Sequence, residues 1–300
     1  MNNIVNYYYN LKNIDIINLD NNYLIMDNND YSYLLYEVNN NININNTINI
    51  LSKINNSLYG DLILNNNKSY ITKIDNNYYV LIRLKGIIND EISLKDMVNN
   101  NIKYRYLNNN NNIDLNKLWS NKIDYLEYQV SQLGTNYNEI LNSFSFFIGL
   151  SENAISFLNI NNINYNNTHK TINHLRIKNN MLFIDYYNPI NILIDYDIRD
   201  YSEYIKSKLL ITDDIDSDIK YILNNANLSD DDIKLFYARL MFPTIYFDKV
   251  EDILIDKVEE KELDKYIEII PRYINMLKDV YLEINKKGIS IDIPNWIIKY

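Results

Sequence analysis

The sequence contains no cysteine, and among its 300 residues are only five glycines and two histidines. The absence of cysteine excludes disulfide bonds, thiolate catalysis and cysteine-ligated zinc. His169 and His174 are too few to build a metal centre from histidine side chains. The few glycines form no G-x-G-x-x-G loop, the motif that brings backbone N–H groups close to phosphates.

Long hydrophobic runs are also absent. No stretch approaches the ~18 apolar residues of a membrane span, and Met1–Val5 lacks the basic start of a secretory signal. We therefore expect the chain to be made and kept in the cytosol. Its net charge is −10, which argues against nucleic acid and anionic membrane, so we expect neither as a partner.

What the sequence does contain is typical of a globular protein. Apolar residues make up 47% of the chain, and 29 residues are tyrosine. This content excludes a disordered chain. A chain of 300 residues can bury the core of one large domain or two modest ones.

Residues 22–84 form short apolar runs bounded by Asn and Asp, a pattern typical of strands and turns. Asn22–Met26 and Tyr31–Val38 flank Asp27–Asp30 and predict a hairpin. A helix is predicted near Asn45–Leu58, where apolar residues recur at helical spacing. Further strands are predicted at Asp61–Leu64, Ser69–Ile74 and Tyr78–Leu84. Together these segments predict an antiparallel sheet of about five strands that carries one helix.

From Leu115 onward the apolar residues follow a helical period. The side chains predicted to face the core from the first helix are Leu118, Trp119, Ile123, Leu126 and Val130. Beyond Arg199 the chain is helical again. Ser229, followed by Asp230–Asp232, predicts a helix N-cap with acidic residues in the first turn.

The change from sheet to helix along the chain predicts an α+β protein of two lobes. Residues 1–88 are predicted to form the N-terminal lobe, an antiparallel sheet with one helix. Residues 89–300 are predicted to form a mostly helical C-terminal lobe. A short hinge near Gly86–Asn89 is predicted to join the two lobes.

Residues 172–200 break the helical pattern and contain the candidate site. Its polar residues are His174, Arg176, Asp195, Asp197, Arg199 and Asp200. In kinases of the aminoglycoside phosphotransferase type, a His-x-Asp catalytic loop precedes a hydrophobic strand that ends on the magnesium-binding Asp. Here the apolar run Ile190–Ile194 ends on Asp195, but Arg176 stands at the position of the catalytic base. An arginine stays charged and cannot accept a proton.

The candidate residues have the following predicted roles. His174 and Arg176 occupy the degenerate catalytic loop, and His174 is alternatively a packed, backbone-bonded histidine. Asp195, with Asp197 beside it, is the candidate magnesium ligand, and Asp195 is alternatively a turn residue that ends a strand. Arg199-Asp200 is predicted to be a buried structural pair that ties the strand to the next helix.

Two other parts of a phosphotransfer site are missing from their expected positions. The strand Tyr31–Val38, which would carry the lysine that contacts the phosphates, has no lysine. Asp27–Asp30 lies between the first two predicted strands, where a glycine loop would cover the phosphates.

Segments between about residues 115 and 255 carry a resemblance to a known family. They are Leu118-Trp119-(x)3-Ile123-Asp124-x-Leu126-Glu127, Ser143-Phe144-(x)2-Phe147-Ile148-Gly149-Leu150-Ser151-Glu152-Asn153-Ala154-Ile155, His174-x-Arg176, Asn188-Pro189 leading to Asp195 and Arg199-Asp200, and Tyr237-Ala238-Arg239-Leu240-Met241-Phe242-Pro243-(x)2-Tyr246-Phe247-(x)2-Val250-Glu251. In this order and spacing they resemble the YutH-type kinases of the bacterial spore coat, which are relatives of the CotS group and of aminoglycoside phosphotransferases.

This resemblance implies a protein-kinase-like bilobal fold with a degenerate catalytic loop. It also implies a role in spore coat assembly or resistance, with other spore coat proteins as partners. The protein would then be made in the cytoplasm and reside in the spore coat if the source organism forms spores.

Three functions are compatible with these observations. The first is a pseudokinase that acts as a structural or interaction protein, needs no cofactor, and binds ATP no tighter than the millimolar range, about 4 kcal/mol. The second is an active ATP-dependent small-molecule or protein phosphotransferase that uses Mg-ATP, with Asp195 holding magnesium and an unrecognised carboxylate as base. The third is a binding module that keeps the cleft between the lobes for a non-nucleotide ligand.

Two structural expectations accompany the first function. Because the base and the metal-binding Asp face one cleft in this fold, we expect the Arg176 guanidinium to pair with the Asp195 carboxylate. We also consider Arg239, Tyr246 and Phe247 as an interaction patch, because such residue types are favoured at interface centres. Core packing is the alternative for these three residues.

Overall fold

The computed structural model describes residues 1–28, 31–39, 42–54, 57–86, 90–105 and 113–300. These residues form two compact units. The sheet unit contains Met1–Ser93 and Asn180–Leu193, and the helical unit contains Leu94–Asn179 and Ile194–Tyr300. The predicted division at residue 88 differs in two respects, because the first boundary follows Ser93 and because Asn180–Leu193 belongs to the sheet unit.

The sheet unit confirms the predicted antiparallel sheet. Its strands are β1 (Ile14–Leu19), β2 (Asn22–Asp27), β3 (Ser32–Val38), β4 (Asp61–Ile63), β5 (Ile71–Ile74) and β6 (Asn77–Arg83). Their order is β1-β2-β3-β6-β4, and β5 also pairs with β6. The strand missing from the prediction is β1, whose sequence Ile-Asp-Ile-Ile-Asn-Leu does not alternate strictly.

The helices are longer and more numerous in the helical unit. The sheet unit has α1 (Asn2–Tyr9), α2 (Ile44–Leu51) and α6 (Phe183–Tyr186). The helical unit has α3 (Leu94–Lys103), α4 (Leu115–Leu133), α5 (Asn138–Ile160), α7 (Ile198–Leu209), α8 (Asp216–Asn225), α9 (Asp230–Met241), α10 (Thr244–Leu254), α11 (Asp264–Glu268), α12 (Ile270–Lys286) and α13 (Asn295–Lys299). Two further strands, β7 (Lys170–His174) and β8 (Ile192–Tyr196), pair with each other. The predicted helical character of the C-terminal part is therefore confirmed.

Both faces of the six-stranded sheet contact other parts of the sheet unit. Val5 of α1 packs on one face, in a cluster with Ile25 of β2. Leu34 of β3 packs on the other face, in a cluster with Ile184 and Ile190. The segment Asn180–Leu193 thus joins the sheet unit because its isoleucines cover a sheet face that would otherwise be open to water.

The core of the helical unit is rich in stacked aromatic rings. Trp119 stacks on Phe242 with ring centroids 4.5 Å apart, and Phe147 stacks on Tyr246 at 3.8 Å. Tyr246 is 1% exposed and Phe247 is 0% exposed. The hypothesis that Arg239, Tyr246 and Phe247 form an interaction patch is therefore wrong, and these residues belong to the core.

Helix α4 differs from its prediction at one position. Trp119, Ile123, Leu126 and Val130 are buried as predicted, whereas Leu118 is 52% exposed. Consecutive residues on an α-helix lie about 100° apart. Leu118 therefore points away from the core that Trp119 enters.

Three predicted segments lie partly outside the described residues: positions 29–30 of the Asp27–Asp30 turn, positions 55–56 of the Asn45–Leu58 helix and positions 87–89 of the Gly86–Asn89 hinge. Of the predicted Asn45–Leu58 helix, the described part is helical as far as Leu51. In the part of the chain that the structure describes, no helix has both the length and the apolar character needed to cross a membrane.

Candidate functional site

The candidate site lies where β7, β8 and the first turn of α7 come together. β7 ends on His174, and β8 contains Asp195 one residue before its end. The Asn173 side chain donates a hydrogen bond of 3.0 Å to the backbone oxygen of Asp195 and fixes the two strand ends side by side. Because α7 begins at Ile198, its first turn carries Arg199 into the same region.

Asp195 is buried and bound by two arginine side chains. Its carboxylate accepts hydrogen bonds from Arg199 Nη1 at 2.7 Å and from Arg239 Nη2 at 2.9 and 3.0 Å. The Tyr196 backbone N–H donates a further bond of 2.6 Å. Burial opposes ionisation of Asp195, but the charges of Arg239 and Arg199 outweigh it and lower the pKa of the carboxyl group. The carboxylate is therefore ionised and fully occupied by protein donors.

Arg176 lies apart from Asp195. Its Nε donates to one carboxylate oxygen of Asp248 on α10, and its Nη2 donates to the other oxygen at 2.6 Å. Its Nη1 donates to the Leu175 carbonyl at 2.7 Å. The predicted pair between Arg176 and Asp195 is wrong. Arg199, four residues along the chain, and Arg239 already occupy the Asp195 carboxylate, which leaves no oxygen for Arg176.

His174 forms a buried pair with Asp200. The His174 backbone N–H donates to one Asp200 oxygen at 3.0 Å, and ring Nδ1 lies 2.6 Å from the other. Both side chains are 0% exposed. Arg199 and Asp200 do not bind each other, since adjacent residues on a helix point in different directions. Each instead ties the start of α7 to a strand. Arg199 binds Asp195, whereas Asp200 holds the catalytic-loop histidine.

Asp197 belongs to a different cluster from Asp195. Its carboxylate accepts a hydrogen bond of 2.6 Å from the Nε of Arg105, which lies just after the end of α3. Burial raises the pKa of Asp197 to about 6, although Arg105 acts in the opposite direction. The Asp195 and Asp197 carboxylates thus face different cations and share no site. Within the described ranges, no group of three or more His, Asp or Glu residues could hold a metal ion.

A buried Glu–Lys pair extends the site along α7. Lys206 Nζ donates to Glu203 Oε1 at 2.9 Å, to the carbonyls of Arg239 and Phe242 at 3.1 and 2.9 Å, and to the Thr244 hydroxyl at 2.9 Å. Burial opposes ionisation of Glu203, but Lys206 outweighs it and lowers the pKa of Glu203 to about 2. Lys206 therefore ties α7 to the end of α9 and the start of α10.

Sequence reasoning missed five members of these clusters, which are Arg105, Glu203, Lys206, Asp248, and Arg239 as a partner of Asp195. Glu203 and Lys206 lie three residues apart on one helix, a spacing that could have indicated their pair. Arg105 and Arg239 gave no such local signal, because their partners are far away in the sequence.

The fold is that of aminoglycoside phosphotransferases. An aminoglycoside phosphotransferase from Alicyclobacillus acidocaldarius aligns with a TM-score of 0.55 and 9% identity over 94% of this chain and 95% of that chain. An AMP-bound spectinomycin phosphotransferase aligns with a TM-score of 0.60 and 10% identity over 93% of this chain and 96% of that chain. An amicoumacin kinase in complex with AMP-PNP, Ca²⁺ and amicoumacin aligns with a TM-score of 0.51 and 13% identity over 97% of this chain and 94% of that chain. At such identities the likeness shows the fold alone.

The family described as "Spore coat putative kinase YutH" matches residues 2–281. The chain belongs to the YutH family. This membership and the kinase-like fold confirm the resemblance found in the sequence. No curated protein matches the chain.

The residues of this YutH family member do not fit the magnesium and nucleotide of a kinase site. Both Asp195 oxygens already accept hydrogen bonds from guanidinium groups, so these cations occupy the positions that a metal ion would need. The turn between β1 and β2, where kinases carry the phosphate-covering glycine loop, consists of Asp20 and Asn21. The predicted position of this loop at Asp27–Asp30 is therefore wrong, because β1 precedes the strands that were predicted. Strand β3, Ser32–Val38, contains no lysine. The glycine loop and the strand lysine are thus missing, and the Asp195 carboxylate is bound by arginine side chains.

Proposed function

We propose that the chain is a pseudokinase that serves as a structural or interaction component in spore coat assembly, with other coat proteins as its partners. The occupation of Asp195 by Arg199 and Arg239 carries this proposal. Magnesium requires oxygen ligands in octahedral geometry and usually takes them from carboxylates and phosphates. At Asp195 it would have to displace two guanidinium groups from a carboxylate that is 2% exposed.

The sheet unit supports the same proposal. Its β1–β2 turn offers the Asp20 carboxylate, which repels phosphate, where a kinase offers glycine N–H groups. One sheet face packs on α1 and the other packs on Ile184 and Ile190. These isoleucines occupy an apolar face against which a flat ligand could otherwise stack.

A second candidate function is an active phosphotransferase, and one observation favours it. Asp248 lies directly against Arg176, so a carboxylate is present beside the position of the missing base. For this function Asp195 would have to release both arginines to magnesium, and Asp248 would have to release Arg176 to accept a proton. The two functions therefore differ in the response of Asp195 to Mg-ATP.

Calorimetric titration with Mg-ATP tests the proposal. We expect no binding tighter than the millimolar range, about 4 kcal/mol, and no change on Asp195→Ala. Micromolar binding that Asp195→Ala abolishes would establish the second candidate function instead. A thermal-shift titration with the same ligand provides an independent check, since a ligand of the folded state alone must raise its melting temperature.

The coat role is tested in a spore-forming host that expresses the tagged chain. We expect the protein in the coat fraction of purified spores, where chemical cross-linking should join it to other coat proteins. Recovery in the mother-cell cytoplasm alone would contradict this part of the proposal.

A further inference from the structure

Strand β1 forms one edge of the six-stranded sheet. It pairs with β2 on one side and, among the described residues, with no strand on the other. Sheet edges in soluble proteins are normally protected by short strands, prolines, lysines or bulges. β1 has six residues, contains neither proline nor lysine, and pairs with β2 at consecutive positions without a bulge. Its outer edge is therefore open to another strand.

The hydrogen bonds of the sheet show which backbone groups of β1 face outward. The Asp27 N–H donates to the Tyr31 carbonyl at 3.0 Å, on the side of β3. Successive residues of a strand bond to opposite sides, so odd-numbered residues of β2 bond to β3 and even-numbered ones bond to β1. The β1 residues opposite the even-numbered ones are Asp15, Ile17 and Leu19.

The N–H and C=O groups on the free edge thus belong to Ile14, Ile16 and Asn18. Within the described ranges these groups make no backbone hydrogen bond outside the sheet. Alternating donors and acceptors at strand spacing are bound by the backbone of an added strand. The free edge of β1 therefore identifies its ligand as an extended chain.

We infer that this extended chain is β1 of a second copy, paired in antiparallel orientation around a two-fold axis at Ile16. Ile14 then faces Asn18 of the second copy, and Ile16 faces its own counterpart, with two backbone hydrogen bonds at each facing pair. No other antiparallel register lets all three outward residues of each copy bond to one another. A two-fold axis makes the contact self-complementary, because the same edge serves both copies.

The side chains on both faces of the sheet suit this register. On the side of α1, Ile16 meets Ile16 of the second copy and extends the cluster that contains Val5 and Ile25. On the other side, Ile17 is 45% exposed and lies diagonally across from Ile17 of the second copy, at a distance that long side chains span. Pairing thus removes from water apolar surface that a single copy leaves open.

Opposite charges meet at both ends of the paired strands. Lys12 precedes β1 and Asp20 follows it, and both are exposed. Because Ile16 lies midway between them, the two-fold axis brings Lys12 of each copy beside Asp20 of the other, whereas a parallel pair would place like charges side by side. Asp15, the one charged residue within the strand, faces the uncharged Ile17. This complementarity identifies a second copy as the occupant and favours the antiparallel orientation.

The contact is one strand long, about 20 Å, which is short for a stable dimer. Interfaces below about 1,200 Å² belong to weak and transient complexes. We therefore expect a dimer with a Kd in the micromolar range and a monomer at high dilution.

Sedimentation equilibrium at increasing protein concentration measures the association. The mass of the wild-type chain should rise from monomer toward dimer. Asn18→Pro should weaken the association at least about tenfold, because proline removes an outward N–H and leaves the bonds to β2 in place. Asn18→Thr is the matched control, since it also removes the asparagine side chain but keeps the N–H. A wild-type monomer at all concentrations, or equal effects of the two variants, would overturn the inference.

Engineered cysteines measure the register and serve as the deciding test if Asn18→Pro does not fold. The chain has no native cysteine, so every disulfide reports the introduced pair. Asp15 and Ile17 of the second copy form a non-hydrogen-bonded pair with Cα atoms about 4.5 Å apart, which a disulfide can bridge. A mixture of the Asp15→Cys and Ile17→Cys proteins should therefore form disulfide-linked heterodimers faster than either protein forms homodimers.

Ile211→Cys is the control for cross-linking, because Ile211 is 69% exposed but lies in the helical unit. It should cross-link only at the rate of random collisions. Fastest cross-linking within Ile17→Cys alone would indicate a different register and overturn the inference. Cross-linking of either β1 variant to another coat protein, without dimers, would assign the edge to that partner and overturn it as well.

This inference goes beyond the proposed function, and the two fail separately. A strict monomer that does not bind Mg-ATP would overturn self-association and leave the pseudokinase proposal intact. A dimer that binds Mg-ATP through Asp195 would overturn the pseudokinase proposal and leave self-association intact.

Discussion

The two cationic partners of Asp195 lie in different parts of the chain. Arg199 follows it by four residues, whereas Arg239 is 44 residues away, on α9. Both guanidinium groups are largely buried, with side-chain exposures of 15% and 7%. The carboxylate therefore depends on these groups for compensation of its charge, since little water reaches it.

Replacement of Arg239 by methionine should destabilise the fold strongly. Removal of one partner of a buried ion pair leaves the other uncompensated, and we expect a loss of about 3 kcal/mol in the free energy of unfolding. Arg176→Met is the matched control, because the Arg176 side chain is 42% exposed and a surface pair contributes at most about 1 kcal/mol. Urea denaturation of both variants measures the difference. Equal losses would contradict the assignment of Arg239 as the main partner.

Glu203 makes the stability depend on pH in the acid range. Its pKa is about 2 in the folded chain, compared with the ordinary value of 4.5. A carboxyl group whose pKa is lowered by folding contributes stability above its unfolded value, and that contribution disappears as the pH falls through the folded value. The contribution of Glu203 should thus be complete above about pH 4.5 and lost by about pH 2.

Glu203→Gln tests this dependence. The free energy of unfolding of the variant should lie on the order of 3 kcal/mol below that of the wild type at pH 6. The two values should converge near pH 2, where Glu203 of the wild type is protonated as well. Chemical denaturation between pH 2 and pH 6 measures both curves. A constant difference across this range would show that the variant acts through packing alone.

At the scale of single elements, the N-terminus of α9 shows what local sequence determines. Ser229 accepts a hydrogen bond of 3.0 Å from the Asp232 backbone N–H, and the Asp232 side chain accepts one of 2.9 Å from the Ser229 backbone N–H. This reciprocal capping confirms the N-cap predicted from the sequence. The Asp232 carboxylate also accepts a bond of 2.8 Å from the His169 backbone N–H, so the cap holds the start of β7 in place.

Ser229→Ala should lower the stability by about 1 kcal/mol, the usual effect of removing a helix N-cap. Ser217→Ala is the control, since Ser217 is exposed within α8 and alanine is the better helix former there. Thermal unfolding followed by circular dichroism measures both. A loss in Ser217→Ala as large as in Ser229→Ala would contradict the capping role.

Other elements were less accessible from the sequence. The strand β1 was missed because Ile16 and Ile17 interrupt its alternation, and α1 has no side-chain cap that would mark its start. The predicted core side of α4 contained Leu118 because spacing alone does not separate two neighbouring positions about 100° apart. Only the packing of α4 against its neighbours decides which one is buried.

At the scale of the whole molecule, the sequence predicted the classes of structure and the family but not the long-range pairings. The position of Asp195 near the end of a strand follows from the apolar run before it, whereas β7, which ends on His174, was not predicted. The partners Arg105 for Asp197 and Arg239 for Asp195 depend on which helices meet in the fold. The prediction that an arginine compensates the charge of Asp195 was correct. The arginines that do so are Arg199 and Arg239 and not the predicted Arg176.

The sheet unit consists of two pieces of chain, Met1–Ser93 and Asn180–Leu193, and this affects how the protein emerges from the ribosome. At about 5–20 residues per second, the segment that covers Leu34 is made several seconds after the strands. Until Ile184 and Ile190 arrive, that apolar sheet face is open to other nascent chains or to chaperones. Closure of so long a loop also slows folding, so the sheet unit is expected to mature only after much of the helical unit has been synthesised.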